Sequence, residues 1–543
     1  MGGYDHIYRQ WREDPEGFWR AASAAIEWDR PPEAILDRSV TPSPAWFPGE
    51  ELNTCFNALD RHVRDGRGEH AALIYDSPVT GVVQRDSYRE LLDEVARFAG
   101  ALTREGVSRG DRVVIYLPMV PEAVIAMLAC ARLGAIHSVV FGGFGADELA
   151  ARIADSGARM VVCASCGIAP GGITPYKPLV DRALELLDGQ QVRCIVLQRP
   201  EGPGSIQPGR DIEWDACIAG AAPVQCVLVA ATDPLYILYT SGTTGLPTGI
   251  VRDNGGHAVA LEWSMDAIYA VRPGEVYWAA SDIGCVVGHS YIVYAPLLDG
   301  CTTVLYEGKP VGTPDAGAFW RVCADHPVSV MFTAPTAIRA IKREDPSAQH
   351  VGGHDLSALR TLFLAGERCD PDTLAWAREH LGRPVIDHWW QTESGSPMAA
   401  NCLRLELLPV RPGSPTKPVP GYDICVLDDE GTELEPGETG ALCVRLPLPP
   451  GFSPTLWRGD ERFVEAYLSK YPSFYLTGDA GYFDEDGYLC VMSRIDDVIN
   501  VAGHGTQPDK WRRSSRATRM SPSARSLASP TILRARSRSV SPC

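Results

Sequence analysis

The run YILYTSGTTGLPTGIVRDNGGH, residues 236–257, carries an apolar strand from Tyr236 to Tyr239 into Thr240, Ser241, Gly242, Thr243, Thr244 and Gly245. Glycines bare their backbone N–H groups and the hydroxyls add donors, a set suited to gripping phosphate oxygens. No Gly-Lys-Ser/Thr follows, so this is not a Walker-type loop. Taken alone, the residues also fit a Gly/Thr-rich hairpin turn. Cys163 and Cys166 make a single CxxC with no second pair and no nearby histidine pattern, which does not define a zinc or redox centre. The glycines of GGFGADEL at 142–149 do not make GxGxxG, so a dinucleotide site fails its first requirement.

Alternating elements must position the glycine-rich run. DSYRELLDEVARFAGALTREGV, from Asp86, sets Tyr88, Leu91, Leu92, Val95, Phe98, Ala99 and Leu102 on one helical face. GDRVVIYLP then reads as a buried strand closed by Pro118, Pro121 opens another helix, and HSVVFGG returns as a strand. The rhythm recurs at 327–335, 359–367 and 383–390, where short apolar runs end in polar or glycine residues. It predicts α/β architecture with a largely parallel sheet, whose ligands gather at the carboxyl ends of the strands. Strand-like runs with glycine turns between about 420 and 495 predict a β subdomain. The first 70 residues, with Tyr8, Trp11, Phe18, Trp19, Trp28, Trp46 and Phe47, read as an arm that wraps a larger body. No internal repeat is present.

Composition narrows the class. The 543 residues are 45% hydrophobic and 22% charged, with a formal net charge of −18, enough apolar content for a large core. The acidic balance disfavours nucleic acid or an anionic membrane as partner. The amino terminus has no signal-type apolar run, and Glu122, Arg132 and His137 break the apolar stretch at 120–144. A cytoplasmic protein is expected.

The glycine-rich run is followed in order by LAGER (364–368), DHWWQTES (387–394), FYLTGDAGYFDEDGYL (474–489) and SRIDDVINVAGH (493–504). This series resembles the AMP-forming acyl-CoA synthetases, and the N-terminal arm with WWQTE resembles their acetyl- and propionyl-CoA synthetase branch. The resemblance implies a large N-terminal domain of two α/β subdomains plus a β subdomain, with residues 71–495 as the AMP-binding adenylation domain. It implies a small-molecule carboxylate, ATP and coenzyme A as substrates, Mg²⁺ as cofactor, and acyl-CoA, AMP and diphosphate as products. Thr240 to Gly245 would cradle the β- and γ-phosphates. Gly366, Glu367 and Arg368, with Asp387, His388, Trp389, Trp390, Gln391 and Thr392, would line the nucleotide, and Glu393 would hold Mg²⁺. Asp479 would accept from the ribose hydroxyls, and Arg494 would pair with ribose or phosphate. Val286, Val287, Ala365 and Trp390 would surround the acyl group, with the indole as floor. Acetyl-preferring relatives carry valine where Ala365 stands. The freed space fits about one methylene, worth roughly 1–3 kcal/mol, so propionate is expected over acetate. Phe141 to Phe144 match a family stretch near coenzyme A.

The chain departs from the family at Thr248 and after His504. Thr248 stands where lysine is usual, removing a cation near the phosphates. Asp496 lies at the usual hinge, 496–504, but after His504 the family continues into a small α+β domain that supplies a catalytic lysine. Residues 505–543 hold nine Lys or Arg against one acid, and their Ser/Arg/Pro composition predicts disorder. Read one base out of frame with GC-rich codons, Gly505 shifts to an arginine and Trp511 onward to a string with the small domain's helix, strand and turn. The tail is therefore expected to be a frameshift product, and full activity of the truncated chain to be impaired. A non-catalytic nucleotide-binding remnant is the alternative.

Overall fold

The computed structural model describes residues 3–187, 189–240 and 247–495. Ser241 to Gly245 of the glycine-rich run, the hinge at Asp496 and the basic tail lie outside the described residues.

Two seven-stranded sheets share one design. The first orders its strands Asp211–Glu213, Arg193–Leu197, Met160–Ala164, Arg112–Tyr116, Ile136–Val139, Pro234–Thr240 and Thr248–Asp253. All neighbours run parallel except the last pair, a hairpin in which Thr240 faces Thr248. The second orders Val385–Asp387, Thr361–Leu364, Val328–Thr333, Val276–Ala279, Thr302–Tyr306, Ala71–Ser77 and Val82–Ser87, again parallel up to an antiparallel edge pair. Strands such as Val328–Thr333 are buried along their whole length, as helices covering both faces of a parallel sheet require. A four-stranded antiparallel sheet follows: Ile424–Leu427, Gly440–Arg445, Phe474–Phe483 and Leu489–Arg494.

The helix Tyr88–Arg104 shows how sequence sets such elements. Ser87 and Glu90 close a capping box at its start, and Tyr88, Leu91, Val95, Phe98, Ala99 and Leu102 are buried. Leu92, expected on the same face, lies at its margin and is half-buried. In the arm, Tyr4–Glu13 and Pro15–Ser23 form helices, the second capped by Asp14, whose carboxylate accepts from the Gly17 N–H at 2.9 Å. Large aromatic side chains pin the arm to the body. Trp19 is buried edge-on to Trp46 and Trp263, and the Trp46 indole donates to the Leu448 carbonyl at 3.0 Å. Tyr4 and Tyr8 donate to the carbonyls of Pro418 and Tyr422. Among the described residues no helix is long and apolar enough to cross a membrane. Cys163 lies buried in its strand, where burial pushes the thiol pKa up.

Candidate active site

Two motifs meet because they sit at the ends of neighbouring strands, and a third joins them from within an antiparallel strand. Ala365 to Arg368 follow the strand Thr361–Leu364, and Asp387 ends the neighbouring strand Val385–Asp387, so both face the carboxyl edge of the second sheet. The chain then turns through residues 388–395. Asp479 comes from the long strand Phe474–Phe483 of the antiparallel sheet and faces Arg494 in the next strand.

The turn and that strand are bonded directly. The Trp389 indole donates to Asp479 Oδ2 at 3.1 Å, and the Gln391 amide donates to the same oxygen at 2.8 Å and to the Thr477 carbonyl at 2.7 Å. Arg494 approaches the other Asp479 oxygen at 3.6 Å and donates to the Thr477 carbonyl at 3.2 Å. Burial raises the Asp479 pKa, with Arg494 and the two donors pulling the other way. Both carboxylate oxygens thus have protein partners.

His388 fixes the start of the turn. Its backbone N–H and its Nδ1 both reach the Leu364 carbonyl, at 2.9 and 2.7 Å. A carbonyl only accepts, so Nδ1 carries the proton and Nε2 accepts from the Tyr269 hydroxyl at 2.9 Å. Burial lowers its pKa to about 4, keeping the ring neutral. Asp387 is buried beside it, and burial pushes its carboxyl up to about 7. Arg368 acts against that shift from the loop above Gly413, while Glu367 adds to it and pairs with Arg339 at 3.1 Å. Gly366 takes φ +104, a conformation L side chains rarely adopt, which lets the loop turn away from the sheet edge.

Glu393 is oriented at both ends. Tyr467 donates to its carboxylate at 2.8 Å, and its carbonyl accepts from the Ser453 N–H at 2.8 Å and from Arg252 at 2.9 Å. Trp390 is half-buried, its ring edge-on to Tyr291 at 5.5 Å and tilted against Phe332 at 6.0 Å. Val286 and Val287 lead into the helical turn Gly288–Tyr294 that carries Tyr291, and both pack with Trp390 against the apolar cluster containing Ala365, Tyr291 and Phe332. Thr240 is half-buried at the end of its strand. Phe141 and Phe144 meet edge to face at 5.9 Å, with the Arg152 guanidinium over Phe144.

The structure thus brings together Asp479, Arg494, Trp389 and Gln391 as one bonded group, and ties Glu393, Asp387, His388 and Trp390 to the same turn. Reading motifs alone missed Tyr467, Tyr291 and Arg252. The last lies within the glycine-rich run, but a lone arginine after an apolar stretch carries no signal of its own.

This arrangement, a parallel-sheet edge closed by an antiparallel sheet with a carboxylate-bearing turn between, has clear relatives. The AMP-binding enzyme family matches residues 59–449, and the acetyl-coenzyme A synthetase N-terminus matches residues 4–58. The chain belongs to the AMP-forming acyl-CoA synthetase family, a class of acid–thiol ligases. It is 52% identical over 493 residues to the human mitochondrial acyl-CoA synthetase short-chain family member 3, covering 90% of this chain and 72% of that protein. Propionate–CoA ligase of Salmonella typhimurium is 44% identical over 507 residues, covering 92% of this chain and 80% of the ligase. The solved acetoacetyl-CoA synthetase from Streptomyces lividans superposes with a TM-score of 0.84 at 26% identity, covering 91% of this chain and 76% of that one.

Proposed function

We propose that this chain activates a short-chain carboxylate, propionate in preference to acetate, by adenylation with ATP and transfer to coenzyme A. The observation that carries the reading is the bonded group in which Trp389 and Gln391 hold Asp479 beside Glu393 at the edge of the second sheet. A carboxylate oxygen of the substrate attacks the α-phosphorus, diphosphate leaves, and the thiol of coenzyme A then displaces AMP from the acyl-adenylate.

The residues divide this work. Asp479 accepts from ribose hydroxyls, and Arg494 opposes charge on ribose or phosphate from the adjacent strand. Glu393 offers a hard carboxylate oxygen, already oriented by Tyr467, and one or two such oxygens with substrate phosphates suit Mg²⁺. Bound there, the ion would offset charge building on the phosphates. The neutral His388 and the buried Asp387 hold the turn without adding mobile charge. Trp390, backed by Tyr291 and Phe332, closes the acyl pocket at short-chain length, and the small Ala365 leaves room for the third carbon of propionate.

Carboxylate-dependent exchange of labelled diphosphate into ATP, followed by acyl-CoA formation, tests the reading with acetate, propionate, butyrate and octanoate. Propionate is expected to exceed acetate in kcat/KM by about tenfold or more. A preference for acetate overturns the substrate assignment. ATP binding without exchange on any carboxylate would make the chain a nucleotide-binding remnant instead.

A further inference from the structure

Among the described residues, Arg252 is the largest charged side chain sealed inside the protein, at 0% exposure. A buried cation is costly unless it is paired, yet among the described residues no carboxylate forms an ion pair with it. Its hydrogen bonds go to neutral oxygens instead. One terminal nitrogen donates to the Glu393 carbonyl at 2.9 Å and to the Gly451 carbonyl, the other to the Thr392 carbonyl at 2.6 Å, and Nε to the Tyr236 hydroxyl at 3.2 Å. The planar fork reaches three chain segments at once, a geometry that lysine cannot reproduce.

The segments it joins are those whose relative placement the reaction needs. Arg252 sits on the strand Thr248–Asp253 and Tyr236 on its partner Pro234–Thr240, which ends at Thr240. Thr392 and Glu393 belong to the turn that carries the metal-binding candidate. Gly395, two residues further, takes φ +68, and a Cβ there would lie 2.7 Å from the Arg252 Cζ. The turn is therefore moulded onto the guanidinium. Burial acts against charge on its neighbours: it pushes His289 down to about 4 and His257, which Arg252 also opposes, well below its usual value, and it pushes Asp253 up to about 7 while Arg252 pulls the other way.

We infer that Arg252 is a positioning residue for the metal-dependent part of nucleotide binding, setting Glu393 against the strand pair that ends at Thr240. The inference rests on the proposed function, in which Glu393 meets Mg²⁺ and Asp479 meets ribose. Sealed from solvent and bonded to protein oxygens, Arg252 would act through the Glu393 turn rather than on either ligand directly. Its loss should let the Glu393 turn shift while leaving the Trp389–Gln391–Asp479 group bonded to its own strand.

The test compares AMP without metal against ATP with Mg²⁺ by titration calorimetry on wild type, Arg252→Lys, Arg252→Met and Gly395→Ala, with thermal unfolding measured alongside. Arg252→Met and Gly395→Ala are each expected to weaken ATP binding in Mg²⁺ by about tenfold and to raise the half-saturating Mg²⁺ concentration, while AMP affinity changes by about twofold or less in all three variants. Arg252→Lys, which keeps the charge, should fall between wild type and Arg252→Met. Equal weakening of both ligands, unchanged binding, or failure of all three variants to fold would show a merely structural arginine and overturn the inference. Wild-type protein that binds neither ligand would instead overturn the proposed function on which it stands.

Discussion

The hydroxyl of Tyr467 donates a 2.8 Å hydrogen bond to the carboxylate of Glu393. Tyr467 lies on the helical turn Val464–Leu468 and stacks on Tyr475 at 5.2 Å, so the antiparallel sheet holds the phenol while the second sheet holds the turn. Burial and the nearby carboxylate raise the phenol pKa, which keeps it a donor. Tyr467→Phe should leave the fold intact and cost about 1 kcal/mol of carboxylate orientation. The half-saturating Mg²⁺ concentration for the initial rate is expected to rise about threefold to tenfold. An unchanged Mg²⁺ requirement would mean that the carboxylate finds its position without the phenol.

Asp479 collects two donors on one oxygen and Arg494 beside the other. If that carboxylate reads the ribose, removing it and removing a ribose hydroxyl should not add up. Wild type should bind 2′-deoxy-ATP about tenfold more weakly than ATP, and Asp479→Ala should bind both equally poorly. A full additional penalty for the deoxynucleotide in Asp479→Ala would assign the ribose to another residue.

Ala365 is buried on the cluster that backs Trp390, so added volume at this site has little room to be absorbed. Ala365→Val is expected to lower kcat/KM for propionate about tenfold while changing acetate about twofold or less. The ratio of the two efficiencies measured on one preparation checks it, since both substrates share every other step. A parallel loss on both would place the valine in the core and not in the pocket.

Much of this was legible in the sequence, for a physical reason: parallel strands buried on both faces need continuous apolar runs, and the runs at 327–335, 359–367 and 383–390 announce themselves. The motifs at 364–368 and 387–394 could be expected at one edge because each follows such a run. The pairing of Trp389 with Asp479 could not, since nothing local specifies a contact between residues 90 apart in the chain. Arg252 and Tyr467 were invisible for a related reason. Their roles come from backbone carbonyls and a carboxylate supplied by distant segments, which leave no periodic or spacing signature. Leu92 was misplaced by a fraction of a helical turn, as happens where an apolar stripe ends at its margin.

Asp387 offers a pH test confined to one group. Burial is the main cause of its rise to about 7 from an ordinary 3.8; Glu367 adds to it, and Arg368 with the Cys369 and His388 N–H groups opposes it. Between about pH 4 and 7 the folded chain keeps a proton at this carboxyl that the unfolded chain has released. Folding is therefore favoured least by this group above pH 7, and the deficit fades as pH falls toward the ordinary value. Asp387→Asn removes the ionisation and keeps an acceptor for the Cys369 N–H, which reaches the carboxylate at 3.4 Å. In ligand-free protein at pH 8, the variant should be more stable than wild type by roughly 2–4 kcal/mol in denaturant unfolding, with the advantage vanishing near pH 4. An advantage that stays constant with pH would show that the carboxyl is ionised in the fold without penalty.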